Sequence, residues 1–168
     1  MRYTIVVAIL FFLNMGMVYP QNHLKVYNIL GQEITYKPDA TNIVICYNTT
    51  SCHACMELLL HCCIEIRRQD TSLNLYVLLE GSKDIGVMRA STTSLSGYMP
   101  RDEKIEVVYD LNPIKRKRYF SKYHISMSPS VLIFKDNKKT KYISYKEMFG
   151  KSYDKDKINT LILSRIGY

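Results

Sequence analysis

The stretch from Asn42 to Leu60 constrains the fold more than any other part of the chain. Asn42-Ile43-Val44-Ile45-Cys46-Tyr47 is an apolar, β-branched run, the signature of a buried strand. Asn48, Thr49, Thr50 and Ser51 follow, four small polar residues that suit a turn. Good helix formers then run from Cys52 to Gln69. The tetrad Cys52-His53-Ala54-Cys55 therefore sits where a strand hands over to a helix. Thiolate is the reactive form of cysteine, and the N-terminal end of a helix favours negative charge, so Cys52 is the expected activated thiol. Cys55, one turn later on the same helix face, is the expected partner for a disulfide. A Cys-x-x-Cys that follows a strand and opens a helix reads as a redox motif.

The rest of the chain agrees with a strand–helix alternation. Leu24–Ile29 and Gln32–Tyr36 read as a short hairpin about Leu30-Gly31, and Lys37-Pro38-Asp39-Ala40-Thr41 as a turn. Asp70-Thr71-Ser72 stops the helix, and Leu73–Leu79 is a second buried strand. A strand–helix–strand order of this kind implies a parallel pair joined by a right-handed crossover. Ile85–Met99 reads as a short helix with a Ser/Thr-rich end, Ile105–Tyr109 as a strand, and Ile114–Tyr123 as a basic helix. Ser130–Lys135 and Lys141–Tyr145 form a hairpin about Asp136-Asn137-Lys138. Asp154 is an N-cap for a last helix, with Ile158, Leu161, Ile162 and Ile166 on one side.

With 168 residues, 47% apolar and 23% charged, the chain is long enough for one domain with a real core, and disorder is excluded. The formal charge of +8 is concentrated at Lys115-Arg116-Lys117-Arg118 with Lys122, and at Lys138, Lys139 and Lys141. These runs are read as solvated faces, and no nucleic-acid partner is expected. Residues 1–20 have the build of a signal peptide or N-terminal membrane anchor. Arg2 precedes the apolar run Ile5–Leu13, and Tyr19-Pro20 closes the segment, with membrane attachment available through residues 3–19. Export places residues 21–168 in an oxidising compartment, where disulfides form.

Five cysteines leave at least one thiol unpaired. Cys46 is expected in the core. Met56, Leu59, Leu60 and Cys63 follow the spacing of a buried helix face, which makes Cys63 a small core hydrophobe. Cys62, two turns after Cys55, is a candidate third thiol. A different class of function uses the same residues. A zinc- or copper-binding or delivery protein would draw on Cys52, Cys55 and His61 or Cys62. Against it, all these donors fall on one turn and helix, which cannot readily wrap a tetrahedral ion.

The element order, together with Tyr123-His124-Ile125-Ser126-Met127-Ser128-Pro129-Ser130 followed by a strand and hairpin, resembles the thioredoxin fold. More narrowly it is similar to the exported TlpA/ResA-type thiol–disulfide oxidoreductases. The resemblance implies an α/β protein, a thioredoxin-like three-layer α/β/α sandwich with a central mixed β-sheet. It also implies that Pro129 is cis beside the Cys-x-x-Cys and that Ser128 offers its backbone to a substrate peptide. The chain departs from that pattern at three places: Ser51 stands where a Trp is usual, His53-Ala54 replaces a Pro-containing pair, and Cys46 occupies a position often held by an acid or Asn. Glu80 is an alternative acid. Thr49 and Cys52 also stand at the Thr-x-x-Cys spacing of peroxiredoxins, without the Pro and Arg that usually surround it.

The expected function is thiol–disulfide exchange by an exported, periplasmic or membrane-anchored protein. Cys52 and Cys55 would be catalytic, protonated His53 would stabilise the Cys52 thiolate, and Ser128 and Pro129 would bind substrate. The expected partners are cysteine-containing protein clients and an upstream redox donor. The reaction calls for no organic cofactor and no metal. A third possibility is a thioredoxin-fold binding module whose disulfide is a fixed staple.

Overall fold

The strand Asn42–Tyr47 (β3) is buried along its whole length. It lies between two neighbours in a sheet covered on both faces, and for that reason its sequence is continuously apolar rather than alternating. The computed structural model describes residues 25–34, 36, 40–48, 50–100, 103–135 and 140–167. The signal or anchor segment 1–20, the turn positions 37–39 and 136–138, and Thr49 lie outside the described residues.

In chain order the elements begin with the short strands β1 (Val26–Tyr27) and β2 (Glu33–Ile34), then β3. Helix α1 (His53–Gln69), strand β4 (Asn74–Glu80), helix α2 (Ile85–Ser96) and strand β5 (Ile105–Asp110) follow. A 3₁₀ turn at Lys115–Lys117 leads to α3 (Tyr119–Lys122), then to strands β6 (Ser130–Phe134) and β7 (Lys141–Ile143), and to helices α4 (Tyr145–Phe149) and α5 (Lys155–Ile166). The seven strands form a mixed sheet in the order β2-β1-β5-β4-β3-β6-β7. Strand β4 runs parallel to both β3 and β5, while β6 is antiparallel to β3.

Alternation along the strands divides the core in two. Ile43, Ile45, Tyr47, Leu75, Val77 and Leu79 face α1, α2, α4 and α5. Val44, Cys46, Tyr76, Leu78 and Val108 face Tyr119 of α3 and the N-terminal segment. Aromatic packing fills this second face: Tyr36 meets Tyr76 edge-on with ring centroids 4.8 Å apart and stacks on Phe134 at 5.5 Å. Much of the tyrosine-rich composition is thus core material.

Two expectations need correction. The basic helix expected over Ile114–Tyr123 is broken: Arg118 is extended, with φ −71° and ψ 145°, between the 3₁₀ turn and the single turn of α3. Its Nε donates to the Asn112 carbonyl at 2.9 Å, tying the break to the end of β5. The last strand ends at Ile143, not Tyr145, because Ser144 caps a helix that the strand reading overlooked. Ser144 and Glu147 form a reciprocal capping box there, a Ser-x-x-Glu signal present in the sequence. On α5, Ile158, Ile162 and Ile166 are inside and the partly buried Leu161 packs against the same core, as the spacing predicts.

Candidate active site

The end of β3, the start of α1 and the start of β6 meet at one end of the sheet. Cys52 is the N-cap of α1, with extended backbone (φ −60°, ψ 109°), and its sulfur accepts the Cys55 N–H at 3.3 Å. No acidic side chain occupies the first turn of α1, so nothing there offsets the partial positive charge at this helix end. Cys52 and Cys55 are joined by a disulfide with their Cα atoms 5.3 Å apart. Cys55 is fully buried while Cys52 is only partly so. The asymmetry suits Cys52 for attack from outside and Cys55 for attack from within.

Ser128 and Pro129 are buried against the same loop, and the peptide bond between them is cis. The Ser128 hydroxyl accepts the Asn48 N–H at 2.9 Å and donates to the Ser51 hydroxyl at 2.7 Å. Ser51, the residue that stands where a Trp is usual in the resembled family, is therefore half of a bridge between the two motifs. Asn48 completes the turn: its Oδ1 accepts from the Thr50 N–H at 3.0 Å and its Nδ2 donates to Glu80 at 2.8 Å. A pocket of about 210 Å³ opens beside it, lined in part by Tyr47, Asn48, Glu80 and Val87.

His53 is exposed. Its Nδ1 lies 2.6 Å from the Tyr47 hydroxyl, and its ring stacks on Tyr98 with centroids 5.6 Å apart. Two tyrosines thus flank the imidazole.

Cys46 is fully buried, and burial, with the nearby Asp110 charge added, pushes its thiol well above the ordinary range. Cys62 is likewise buried and pushed up to about 11, chiefly by burial and then by Glu65. Burial raises Cys63 further still. At these positions the thiol form dominates at neutral pH, which is unreactive. The Cys62 sulfur lies 3.9 Å from the Lys155 carbonyl of α5, and His61 is exposed. Among the described residues no group of three or more His, Cys, Asp or Glu side chains converges as a metal site, so Cys52, Cys55, His61 and Cys62 are not brought together. No described helix is long and apolar enough to cross a membrane.

Two polar residues near this end of the sheet escaped the sequence reading. Asp110, at the end of β5, is 1% exposed and pushed up to about 6 by burial, against the opposing pull of the Phe120 and Tyr119 N–H groups and the Arg118 charge. Only its place at the end of an apolar run hinted at it. Tyr145 brings its hydroxyl to 3.4 Å from the Cys55 sulfur. The Ser144…Glu147 capping box would have placed Tyr145 at a helix start, though not its contact with Cys55. Glu80, the alternative acid, is exposed and bonded to Asn48.

No family model matches the sequence, nor does any curated protein. Solved structures do match. A thioredoxin-like protein from Aeropyrum pernix aligns with a TM-score of 0.59 at 9% identity, over 94% of this chain and 99% of that one. A secreted Mycobacterium tuberculosis disulfide oxidoreductase homologous to E. coli DsbE aligns at 0.56 and 6% identity, over 88% and 99%. An uncharacterized thioredoxin-like protein from Porphyromonas gingivalis aligns at 0.53 and 18% identity, over 87% and 92%. Identities this low speak for architecture alone, and the architecture is shared: the chain has the thioredoxin fold, a mixed sheet with helices on both faces, with a Cys52–Cys55 disulfide at the N-terminus of its first helix.

Proposed function

We propose that this protein is an exported thiol–disulfide oxidoreductase that exchanges its Cys52–Cys55 pair with cysteine-containing protein clients. The observation that carries the reading is the pair itself: one partly exposed and one buried sulfur, joined at a helix N-terminus beside a cis Ser128–Pro129 bond. In the reducing direction the Cys52 thiolate attacks one sulfur of a client disulfide. A Cys52–client disulfide forms and the other client sulfur leaves as a thiolate. The Cys55 thiolate then attacks the Cys52 sulfur, closes the Cys52–Cys55 disulfide and releases the second client thiolate, and solvent protonates both leaving groups. The client gains two electrons, and an upstream dithiol donor returns them to the protein. The oxidising direction is the same sequence reversed. Ser128 and Pro129 are the substrate-facing segment, with exposed Met127 next to them as apolar contact surface. His53 favours the Cys52 thiolate when protonated. Residues 1–20 direct export or anchor the chain.

The test is the reduction potential of the Cys52–Cys55 couple, titrated against dithiothreitol or glutathione with thiol trapping. A reversible two-electron couple is expected; a value on the order of −270 mV marks a reductant and one of roughly −120 mV an oxidant. Cys52→Ser should abolish disulfide reductase activity, and Cys55→Ser should trap a covalent client complex. Full activity in Cys52→Ser, or the absence of any reversible couple, defeats the proposal.

A further inference from the structure

The contact between Cys55 and Tyr145 joins residues ninety positions apart, and its direction follows from the redox state. In the disulfide the Cys55 sulfur carries no proton, so the phenol O–H is the donor. The phenol is held in place from several sides. Tyr145 is the first residue of α4, directly after the Ser144–Glu147 capping box, and its ring packs on Phe149 with centroids 5.1 Å apart. Burial, and then a hydrogen bond with Tyr153, shifts the phenol's titration upward, so it keeps its proton at neutral pH. The titratable groups around the sulfur are Cys52 on the same helix, Tyr145 from α4 and, behind it, Tyr153. Below, β3 contributes Tyr47, which is engaged with His53. Cys46 points to the opposite face of the sheet, in the core half that also holds Tyr119.

We propose that the Tyr145 hydroxyl promotes the resolving half of the exchange by donating a hydrogen bond to the Cys55 sulfur while Cys52 is held in a mixed disulfide. This inference rests on the dithiol–disulfide reading of the pair. A hydrogen bond from a neutral donor favours the thiolate over the thiol, so more of Cys55 is in the attacking form at a given pH. The same bond lowers the nucleophilicity of that thiolate, but by less than it raises its population, because nucleophilicity follows acidity with a coefficient of about 0.4–0.5. The phenol keeps its proton throughout: it takes no part in proton transfer and acts on Cys55 alone.

The experiment is stopped-flow reaction of the reduced full chain with 5,5′-dithiobis(2-nitrobenzoate). Attack by Cys52 releases one thionitrobenzoate and forms a mixed disulfide; attack by Cys55 on the Cys52 sulfur releases the second. Tyr145→Phe keeps the ring and removes the donor. It should leave the first phase unchanged, slow the second about 3- to 10-fold near neutral pH, and move that phase's pH midpoint to the alkaline side. A second phase in Tyr145→Phe with wild-type rate and pH midpoint overturns the proposal, whatever a cruder Tyr145→Ala change does to packing. If the wild-type protein itself shows no second phase, it is the dithiol-exchange reading that has failed, and this inference falls with it.

Discussion

At the residue scale, the chemistry of this end of the sheet depends on where single polar groups are buried. Asp110 is the clearest case. Its Oδ2 accepts the Phe120 N–H at 3.1 Å, while its Oδ1 has no hydrogen-bond partner among the described residues. Below about pH 4 it is protonated in both the folded and the unfolded chain. Between the ordinary carboxyl value of 3.8 and the folded value of about 6, the folded form alone keeps its proton, so stability falls as pH rises through that window and levels off above it. The full effect is on the order of 3 kcal/mol at neutral pH. Glu147 and Glu65, both shifted downward, act with the opposite slope, but they are common to any Asp110 variant. Asp110→Asn should therefore gain stability relative to wild type from pH 4 to pH 7, measured by urea denaturation at each pH. A difference that stays constant over that range would mean Asp110 titrates normally. The sequence could show an acid after an apolar strand; it could not show that Arg118, Tyr119 and Phe120 close on it, because burial of a strand end is decided by other parts of the chain.

At the element scale, what was legible and what was not divide along a physical line. Strand β3, helix α1, strand β4 and strand β6 were all readable because each buries a periodic or continuous apolar pattern. The segments that failed, Ile114–Tyr123 and Ser144–Phe149, hold helical pieces of 3, 4 and 5 residues that follow local capping and side-chain bonds instead. The pairing of the two site motifs was suggested by resemblance alone. The bonds that make it, from Asn48 N–H to Ser128 and from Ser128 to Ser51, have no sequence signature. They also mark where this join is vulnerable. Ser128 is 5% exposed, and Ser128→Ala would leave the N–H of partly buried Asn48 without its acceptor. The expected cost is about 1–3 kcal/mol by denaturation, with faster alkylation of reduced Cys52 as the loop loosens. Unchanged stability and unchanged alkylation would mean that Asn48 finds another acceptor at once.

At the scale of the whole molecule, helix α1, which carries the Cys52–Cys55 pair, is held on its far side by α5. α5 lays Ile158, Ile162 and Ile166 into the core half that also contains Cys62 and Cys63 of α1. A surface ion pair from Lys155 to Glu65 joins the same two helices, and exposed pairs of this kind contribute little. Apolar packing is therefore the main tie, and the same core half holds two of the three free thiols: Cys62, whose sulfur lies against the Lys155 carbonyl of α5, and Cys63 are both fully buried. Ile162→Ala would remove a fully buried side chain from the middle of that seam. The expected loss is about 2–5 kcal/mol, depending on how far the helix can settle into the cavity. Because the helix is held mainly by this seam, the loss should appear as local opening. Iodoacetamide labelling of Cys62 and Cys63, read by mass spectrometry, should accelerate by more than labelling of Cys46, which sits on the other face of the sheet under α3. Equal acceleration at all three thiols would instead mean that α5 opens only when the entire domain unfolds, making that helix part of one cooperative unit with the Cys52–Cys55 pair.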